Sequence, residues 1–203
     1  MVIRWIVQTT PAWTYVFNDE FNTFNPSVWT TTTNLTNVGV NAGWMNIEST
    51  GNYGILETGN LGLALPKDSF RIECRARYVS GTPNTSAPNF GLMYGGVGFW
   101  WYPDTTFKIS RRPSTGFWYL APATTRGLFT TTTEPFVITM QQHDGNISMS
   151  VSYEEVSHQI YDWSDTGTNF VPATANNGVL TIGWTYQLMN WEVDYIRLGP
   201  PIL

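Results

Sequence analysis

The stretch Phe70-Arg71-Ile72-Glu73-Cys74-Arg75-Ala76-Arg77-Tyr78 decides the fold class. Apolar residues take its even-numbered positions and charged residues its odd-numbered positions. This is the period of a β-strand with one face in a core and the other in solvent, so we predict a strand over 69–79. The single cysteine, Cys74, falls on the apolar face. We therefore expect a buried, unreactive thiol and no internal disulfide.

A hairpin is predicted around Asp144-Gly145, because this dipeptide suits a two-residue type I′ turn in which both residues adopt positive φ. If these two residues form the loop, every apolar residue on one face meets an apolar partner. The expected pairs are Met140 with Met149, Ile138 with Val151, and Phe136 with Tyr153. A slip of one residue would destroy this agreement, so the register is well specified.

Short strand patterns with frequent turn signals continue along the chain, and no long amphipathic helix is found. The Thr30–Thr33 and Thr130–Thr133 runs are interpreted as edge strands or loops. No domain boundary is visible, so we predict one all-β domain over 1–203. The candidate strands lie near 3–8, 14–18, 28–33, 44–49, 53–57, 61–65, 69–79, 89–94, 97–102, 106–111, 116–120, 135–143, 146–153, 157–162, 178–184 and 190–198.

The amino-acid composition excludes some classes of function for this chain. The net charge of −5 argues against a nucleic-acid partner, because phosphate binding requires a basic surface. No apolar run is long enough to span a membrane, and the apolar stretch within Met1–Thr10 is too short for a signal-peptide core. The Thr-, Asn- and Trp-rich, Lys-poor makeup is typical of an extracellular surface protein. A secreted protein without its leader, or a virion-surface protein, would reconcile these features.

Two segments at opposite ends of the chain carry a family resemblance. Phe17-Asn18-Asp19-Glu20-Phe21-Asn22 is followed by Pro26-Ser27-Val28-Trp29, and Trp191-Glu192-Val193-Asp194-Tyr195-Ile196-Arg197-Leu198 closes the chain. They resemble the opening F-x-D-E-F-N…W and the closing V-D-Y-I/V-R of the concanavalin A-like lectin/glucanase superfamily. Its laminarinase-like glycoside hydrolases and laminin-G-like modules are the most similar groups. The resemblance implies a two-sheet antiparallel β-sandwich, a jelly roll, whose first and last segments pair.

The same resemblance raises the question of glycoside hydrolysis. Laminarinase-like enzymes carry a Glu-x-Asp-x-x-Glu or Glu-x-Asp-x-Glu motif on the strand after F-R-x-E-x-R, which here resembles Phe70–Arg75. The following stretch, 89–102, has no carboxylate, and the next acid is Asp104 beside Pro103. A retaining glycosidase needs a nucleophile and an acid/base carboxyl about 5–5.5 Å apart. We therefore predict no catalytic residues on that strand.

Glu192 and Asp194 are a second acid pair, and they share a face of the closing strand, with Cα atoms about 7 Å apart. In the family this strand is structural. The resemblance also implies a structural calcium ion, held by an aspartate that matches Asp194 together with backbone oxygens near Asp19-Glu20. Calcium takes oxygen ligands in flexible number. We therefore expect Asp194 and Glu20 to be the candidate metal ligands, with an aspartate that fixes the N-terminal loop by hydrogen bonds as the alternative.

An aromatic surface is the remaining candidate site. Neighbouring residues of a strand point to opposite faces of the sheet. If Phe99, Trp101 and the corresponding residues of the neighbouring strands fill the core, then Trp100, Tyr102 and Trp118 face outward, near the Arg111-Arg112 turn. Exposed rings beside guanidinium donors suit the apolar C–H face and hydroxyl rim of a sugar. We therefore predict that these five residues bind carbohydrate. The alternative is that a long loop or a neighbouring subunit covers the rings, since exposed apolar patches mark interfaces.

These observations predict a non-catalytic recognition or structural module that binds glycans or a protein surface. A phage-like virion decoration or adhesion protein, with a homo-oligomer as a further possibility, fits this description. One alternative is a divergent laminarinase-like glycoside hydrolase that acts on β-glucans with carboxylates from elsewhere in the chain. The other is an architectural protein whose aromatic residues are all buried in contacts.

Overall fold

The computed structural model describes residues 13–51, 54–63, 69–81, 90–94, 97–101, 106–111, 118–119, 124–125, 134–144, 146–153, 156–164, 178–185 and 189–202. Sixteen strands lie in these ranges: β1 Phe17–Asp19, β2 Trp29–Thr33, β3 Leu35–Asn41, β4 Trp44–Ser49, β5 Gly54–Thr58, β6 Phe70–Gly81, β7 Phe90–Tyr94, β8 Val97–Trp101, β9 Thr106–Arg111, β10 Trp118–Tyr119, β11 Thr124–Thr125, β12 Phe136–His143, β13 Asn146–Tyr153, β14 Val156–Ser164, β15 Leu180–Thr185 and β16 Met189–Gly199. No helix long and apolar enough to cross a membrane occurs in the described part of the chain.

The strands form two antiparallel sheets. Sheet A has the order β14-β13-β12-β6-β16-β4-β3, and β1 also pairs with β16. Sheet B has the order β10-β9-β8-β7-β15-β5-β2, and β11 also pairs with β9. The two sheets share one hydrophobic core. This confirms the predicted all-β sandwich of the jelly-roll type.

The core is built from the inward faces of alternating strands. Along β6, residues from Phe70 to Tyr78 alternate between buried and half-buried, as the sequence pattern predicts. Cys74 is fully buried, and burial raises the pKa of its thiol. Across sheet B one inward row runs through Leu56, Ile182, Leu92 and Phe99, all buried. Side chains of both sheets thus meet in one apolar layer.

The predicted hairpin is confirmed residue by residue. The register of β12 and β13 pairs Met140 with Met149, Ile138 with Val151, and Phe136 with Tyr153. The last pair before the loop is His143 with Asn146, and Asp144 has a positive φ of 46°.

The two ends of the described chain lie together, as the resemblance implies. β1 pairs antiparallel with the end of β16, with Phe17 opposite Leu198 and Asp19 opposite Ile196. The Gln141 side chain bonds Ile202 twice, because its amide donates to the carbonyl at 3.0 Å and its oxygen accepts from the N–H at 2.9 Å. These contacts hold both ends of the described chain against sheet A.

Several predicted elements differ from the structure or fall outside it. β3 was not predicted, and residues 61–63 of the predicted strand 61–65 are not a strand. Thr30–Thr33 lies in β2, which is at an edge of sheet B, in agreement with the edge-strand interpretation. The predicted strand 3–8 and the Thr130–Thr133 run lie outside the described residues.

A β-bulge interrupts β16 at Asp194. Val193 pairs with Ala76 and Tyr195 with Arg75, so Asp194 has no partner of its own on β6. An extra residue shifts the alternation by one. The inward residues are therefore Trp191 and Val193 before the bulge, and Ile196 and Leu198 after it.

Candidate functional site

The outward face of sheet B is the first candidate site. By the family resemblance, the strand that would carry the catalytic motif lies within 89–102, and this stretch forms β7 and β8 near the centre of the sheet. Inward residues of β7 and β8 belong to the core cluster. The alternate positions, which point outward, hold Gly91, Met93, Gly98 and Trp100. All of these positions are buried, so the centre of this face is covered.

Trp100 points away from the core, as predicted, and its ring lies on Gly91. A Cβ atom at position 91 would be 2.4 Å from Cζ3 and 2.6 Å from Cε3 of the ring, so only a glycine leaves room for it. The residue is nevertheless only 3% exposed. The expectation of a solvent-exposed ring is therefore wrong for Trp100 in the isolated chain. Because this burial is found in the single chain, it agrees with the loop branch of the alternative, in which the chain itself covers the ring, and does not test the neighbouring-subunit branch.

The other predicted carbohydrate-binding residues are placed only in part. The backbone register puts Trp118 opposite Arg111 and Arg111 opposite Val97. Trp100 is opposite Lys108, three residues from Arg111 along β9. Tyr102 and Arg112 lie outside the described residues. The five-residue carbohydrate site stays a prediction.

Glu57 is a residue on this face that the sequence analysis missed. It lies on β5 next to the buried Leu56 and opposite Thr181 of β15. The Thr181 hydroxyl donates a hydrogen bond of 2.9 Å to its carboxylate. The alternation of Ile55, Leu56 and Glu57 in a predicted strand was the signal that could have placed this acid on the outward face.

Glu57 is the one carboxylate in the described strands of sheet B. Glycoside hydrolysis of either stereochemistry ordinarily uses two carboxyl groups that flank the scissile bond. These strands therefore supply at most one of the two groups.

The outward face of sheet A carries an array of ion pairs. Glu192 and Asp194 share this face, as predicted, but each is held by an arginine of β6. Arg77 contacts Glu192 at 2.5 Å, and Arg75 bonds Asp194. Because both acids are engaged by guanidinium groups, their arrangement indicates a structural role and not a catalytic pair.

The same arginines stack on aromatic rings. Arg77 and Arg75 lie 4.3 Å and 5.3 Å from the centre of the Trp44 ring. Arg197 lies 4.0 Å from the Tyr195 ring and 5.4 Å from the Tyr15 ring. Stacking of this kind fixes the planar guanidinium groups in place. The face is thus an ordered polar surface.

The two predicted calcium ligands line one pocket of about 320 Å³. Glu20, however, accepts a hydrogen bond from Arg197 at 3.1 Å, which holds the pKa of its carboxyl below the usual value. Asp194 is bonded to Arg75. No group of three or more His, Cys, Asp or Glu side chains in the described ranges could hold a metal ion. The Asp194 and Glu20 carboxylates, each already paired with an arginine, do not fit as side-chain ligands of calcium. The residues that line the pocket are Glu20, Asn22, Gly43, Asp194, Tyr195 and Arg197.

Comparisons with known proteins identify the fold. No family model and no curated protein sequence matches the chain. Among solved structures, a β-1,3-glucanase from Mycobacterium marinum matches with a TM-score of 0.56 and 13% identity, over 92% of this chain and 99% of that one. A glycosyl hydrolase family protein from Mycobacterium fortuitum matches with a TM-score of 0.57 and 16% identity, over 92% and 100%. The exoplasmic/lumenal domain of VIP36, in a Ca²⁺/Man-bound form, matches with a TM-score of 0.59 and 8% identity, over 84% and 82%. The chain therefore has the jelly-roll fold shared by these glucanases and lectins.

Proposed function

We propose that the chain is a non-catalytic recognition module that binds a glycan or a protein surface. The observation that supports this most directly is the set of outward residues on the central strands of sheet B. Gly91, Met93, Gly98 and Trp100 stand there, without a carboxylate among them. Glycoside hydrolysis ordinarily uses two carboxyl groups, and the described central strands supply neither of them, which favours binding over cleavage.

The residues proposed to contact a glycan are Trp100, Tyr102, Trp118, Arg111 and Arg112. Support comes from the Trp100 ring, which points away from the core. Because the ring is only 3% exposed in the single chain, a glycan or a protein partner can contact it only after its cover moves. The proposal therefore includes both glycan and protein surfaces as ligands.

A glycan array and a hydrolysis assay on a β-glucan panel test the proposal together. We expect saturable binding to at least one glycan, weakened by Trp100→Ala, and no release of reducing sugar. A search for stable complexes with shell or fibre proteins tests the protein-surface branch. If no glycan and no protein is bound, the proposal is wrong.

The alternative is a divergent glycoside hydrolase that acts on β-glucans, and Glu57 is the observation that favours it. This carboxylate lies on the outward face of sheet B with a hydroxyl donor at 2.9 Å. Release of reducing sugar that is abolished by Glu57→Gln, but not by Glu48→Gln, would establish this alternative. Glu48 is a suitable control because it lies on β4 in the other sheet.

A location outside the cell or on a virion surface is a further part of the proposal, as is assembly into a homo-oligomer or a larger particle. These rest on composition and not on the fold. An architectural role would be supported instead by a map of the assembly in which a partner covers the outward face of sheet B at Trp118, since Trp100 is already buried in the single chain.

A further inference from the structure

The loop between β1 and β2 forms a second polar groove, remote from the Trp100 face. A pocket of about 370 Å³ adjoins the pocket that contains Glu20 and Asp194, and the two share Glu20 and Asn22 in their walls. Clefts that hold small ligands commonly measure about 300–1,000 Å³. Each pocket is thus of the size for one small ring. The second pocket is lined by Phe17, Asn18, Asp19, Glu20, Asn22, Thr23, Asn25 and Val28.

The groove is rich in groups that both donate and accept hydrogen bonds. Asn22 and Thr23 are exposed, and their side chains make no hydrogen bond to the rest of the described chain. An amide and a hydroxyl each offer a donor and an acceptor. A ligand hydroxyl has the same dual character, so it can bond to either group without leaving a polar atom unpaired.

The charged side chains of the groove already have partners. Asp19, which also lines the second pocket, accepts hydrogen bonds from the Phe21 and Trp29 N–H groups. Glu20 is paired with Arg197 at 3.1 Å, and Asp194 is bonded to Arg75. A bare cation in the pocket that Arg197 lines would meet its guanidinium, and an anion in either pocket would meet the Glu20 carboxylate. This balance favours an uncharged ligand over either ion.

The loop is also held in shape before a ligand arrives. Phe21 is fully buried with a positive φ of 44°, and its N–H donates to Asp19 at 2.9 Å. This anchor fixes the direction in which the next residue, Asn22, leaves the core. A preformed site loses less conformational entropy when it binds.

We infer that this groove binds a neutral, hydroxyl-rich glycan, with one sugar unit in each pocket. The inference shares the ligand class of the proposed function but does not depend on Trp100. Asn22 contributes to both pockets and is the residue on which recognition depends most. The side wall of the other pocket, formed by Asp194, Tyr195 and Arg197, positions the second sugar unit.

An NMR titration tests this inference. The isotope-labelled chain is titrated with laminaribiose, cellobiose or mannobiose, and separately with calcium chloride. We expect a disaccharide to shift the amide signals of Asn22, Gly43 and Tyr195 saturably. Asn22→Ala should weaken this binding about tenfold or more, which corresponds to roughly 1.4 kcal/mol. Thr23→Val, which keeps the side-chain shape, should weaken it to a smaller extent.

Asn37→Ala serves as the control, because Asn37 is an exposed amide on edge strand β3, outside both pockets. The inference is wrong if no disaccharide shifts these signals, or if calcium shifts them and no disaccharide does. It is also wrong if both loop variants bind like the wild type. Binding that is lost in Trp100→Ala but kept in Asn22→Ala would overturn this site while leaving the proposed function intact.

Discussion

The Trp29 indole N–H donates a hydrogen bond of 2.8 Å to the Asp19 carboxylate. Asp19 ends β1, which pairs within sheet A, and Trp29 begins β2, at the edge of sheet B. The other oxygen of Asp19 accepts from the Phe21 N–H at 2.9 Å. One carboxylate therefore links the two sheets and the loop between them. This contact gives a physical reason why the opening acidic segment is followed by a tryptophan.

Removal of this carboxylate should destabilise the fold. In Asp19→Ala the Trp29 N–H, which is buried, loses its acceptor, and a buried donor without a partner costs about 1–3 kcal/mol. We expect the free energy of unfolding, measured by urea denaturation, to fall by that amount. Glu20→Gln is the matched control, because Glu20 is exposed and its change should have little effect. Equal stability of the two variants would contradict the linking role of Asp19.

Gly91 should not tolerate a side chain. A Cβ atom there would lie 2.4 Å from the Trp100 ring, so the ring or the strand has to move. Overpacking of this kind costs about 1–3 kcal/mol. We expect Gly91→Ala to lower the urea midpoint, whereas Gly39→Ala, where a Cβ meets nothing within 4 Å, should not.

The double variant Gly91→Ala, Trp100→Leu checks the cause. If the ring is the obstacle, the penalty of the alanine should shrink in the leucine background, because the two residues are in contact. An unchanged penalty would place the strain in the backbone and not in the tryptophan.

The sequence predicts the strands best where each apolar residue on one face is paired with an apolar residue of the neighbouring strand. The β12–β13 register follows from three apolar pairs, since a slip would expose all of them. β3 was missed because Leu35–Asn41 lies at the edge of sheet A and shows no regular alternation of burial. The apolar spacing of Leu61 and Leu63 suggested a strand, but these residues pack against the core from a segment without strand pairing.

The candidate site could be predicted less well, for a related reason. Local alternation gives the direction of the Trp100 side chain correctly, but it does not give the burial of the ring, which is only 3% exposed. The pairing of Glu192 and Asp194 with arginines likewise depends on which strand lies beside β16. Periodicity also assumes an uninterrupted strand, so it does not reveal the bulge at Asp194. Tertiary contacts of this kind leave no local pattern.

The Cys74 thiol should be inert in the folded chain. It is fully buried, and burial raises its pKa, so thiolate, the reactive form, is scarce. We expect iodoacetamide to label the native protein far more slowly than the protein in denaturant, as measured by mass spectrometry. Native labelling at the rate of a free thiol would mean that the core opens near β6.

Tyr195 should make the fold sensitive to alkaline pH. Burial and the Glu73 carboxylate, which accepts its hydroxyl at 2.9 Å, raise the phenol pKa above its usual value of 10.0. A group whose pKa is raised in the folded state stabilises it fully below the unfolded pKa, and this contribution declines as pH rises towards the folded value. The free energy of unfolding should therefore fall above about pH 10, by less than about 1.4 kcal/mol per pH unit for this half-exposed group.

Urea denaturation across this range should show a shallower decline in Tyr195→Phe than in the wild type. Tyr94→Phe is the comparison variant, because the pKa of Tyr94 is raised by burial without a carboxylate partner. If Tyr195→Phe declines as steeply as the wild type, the Tyr195–Glu73 contact is not a source of alkaline sensitivity.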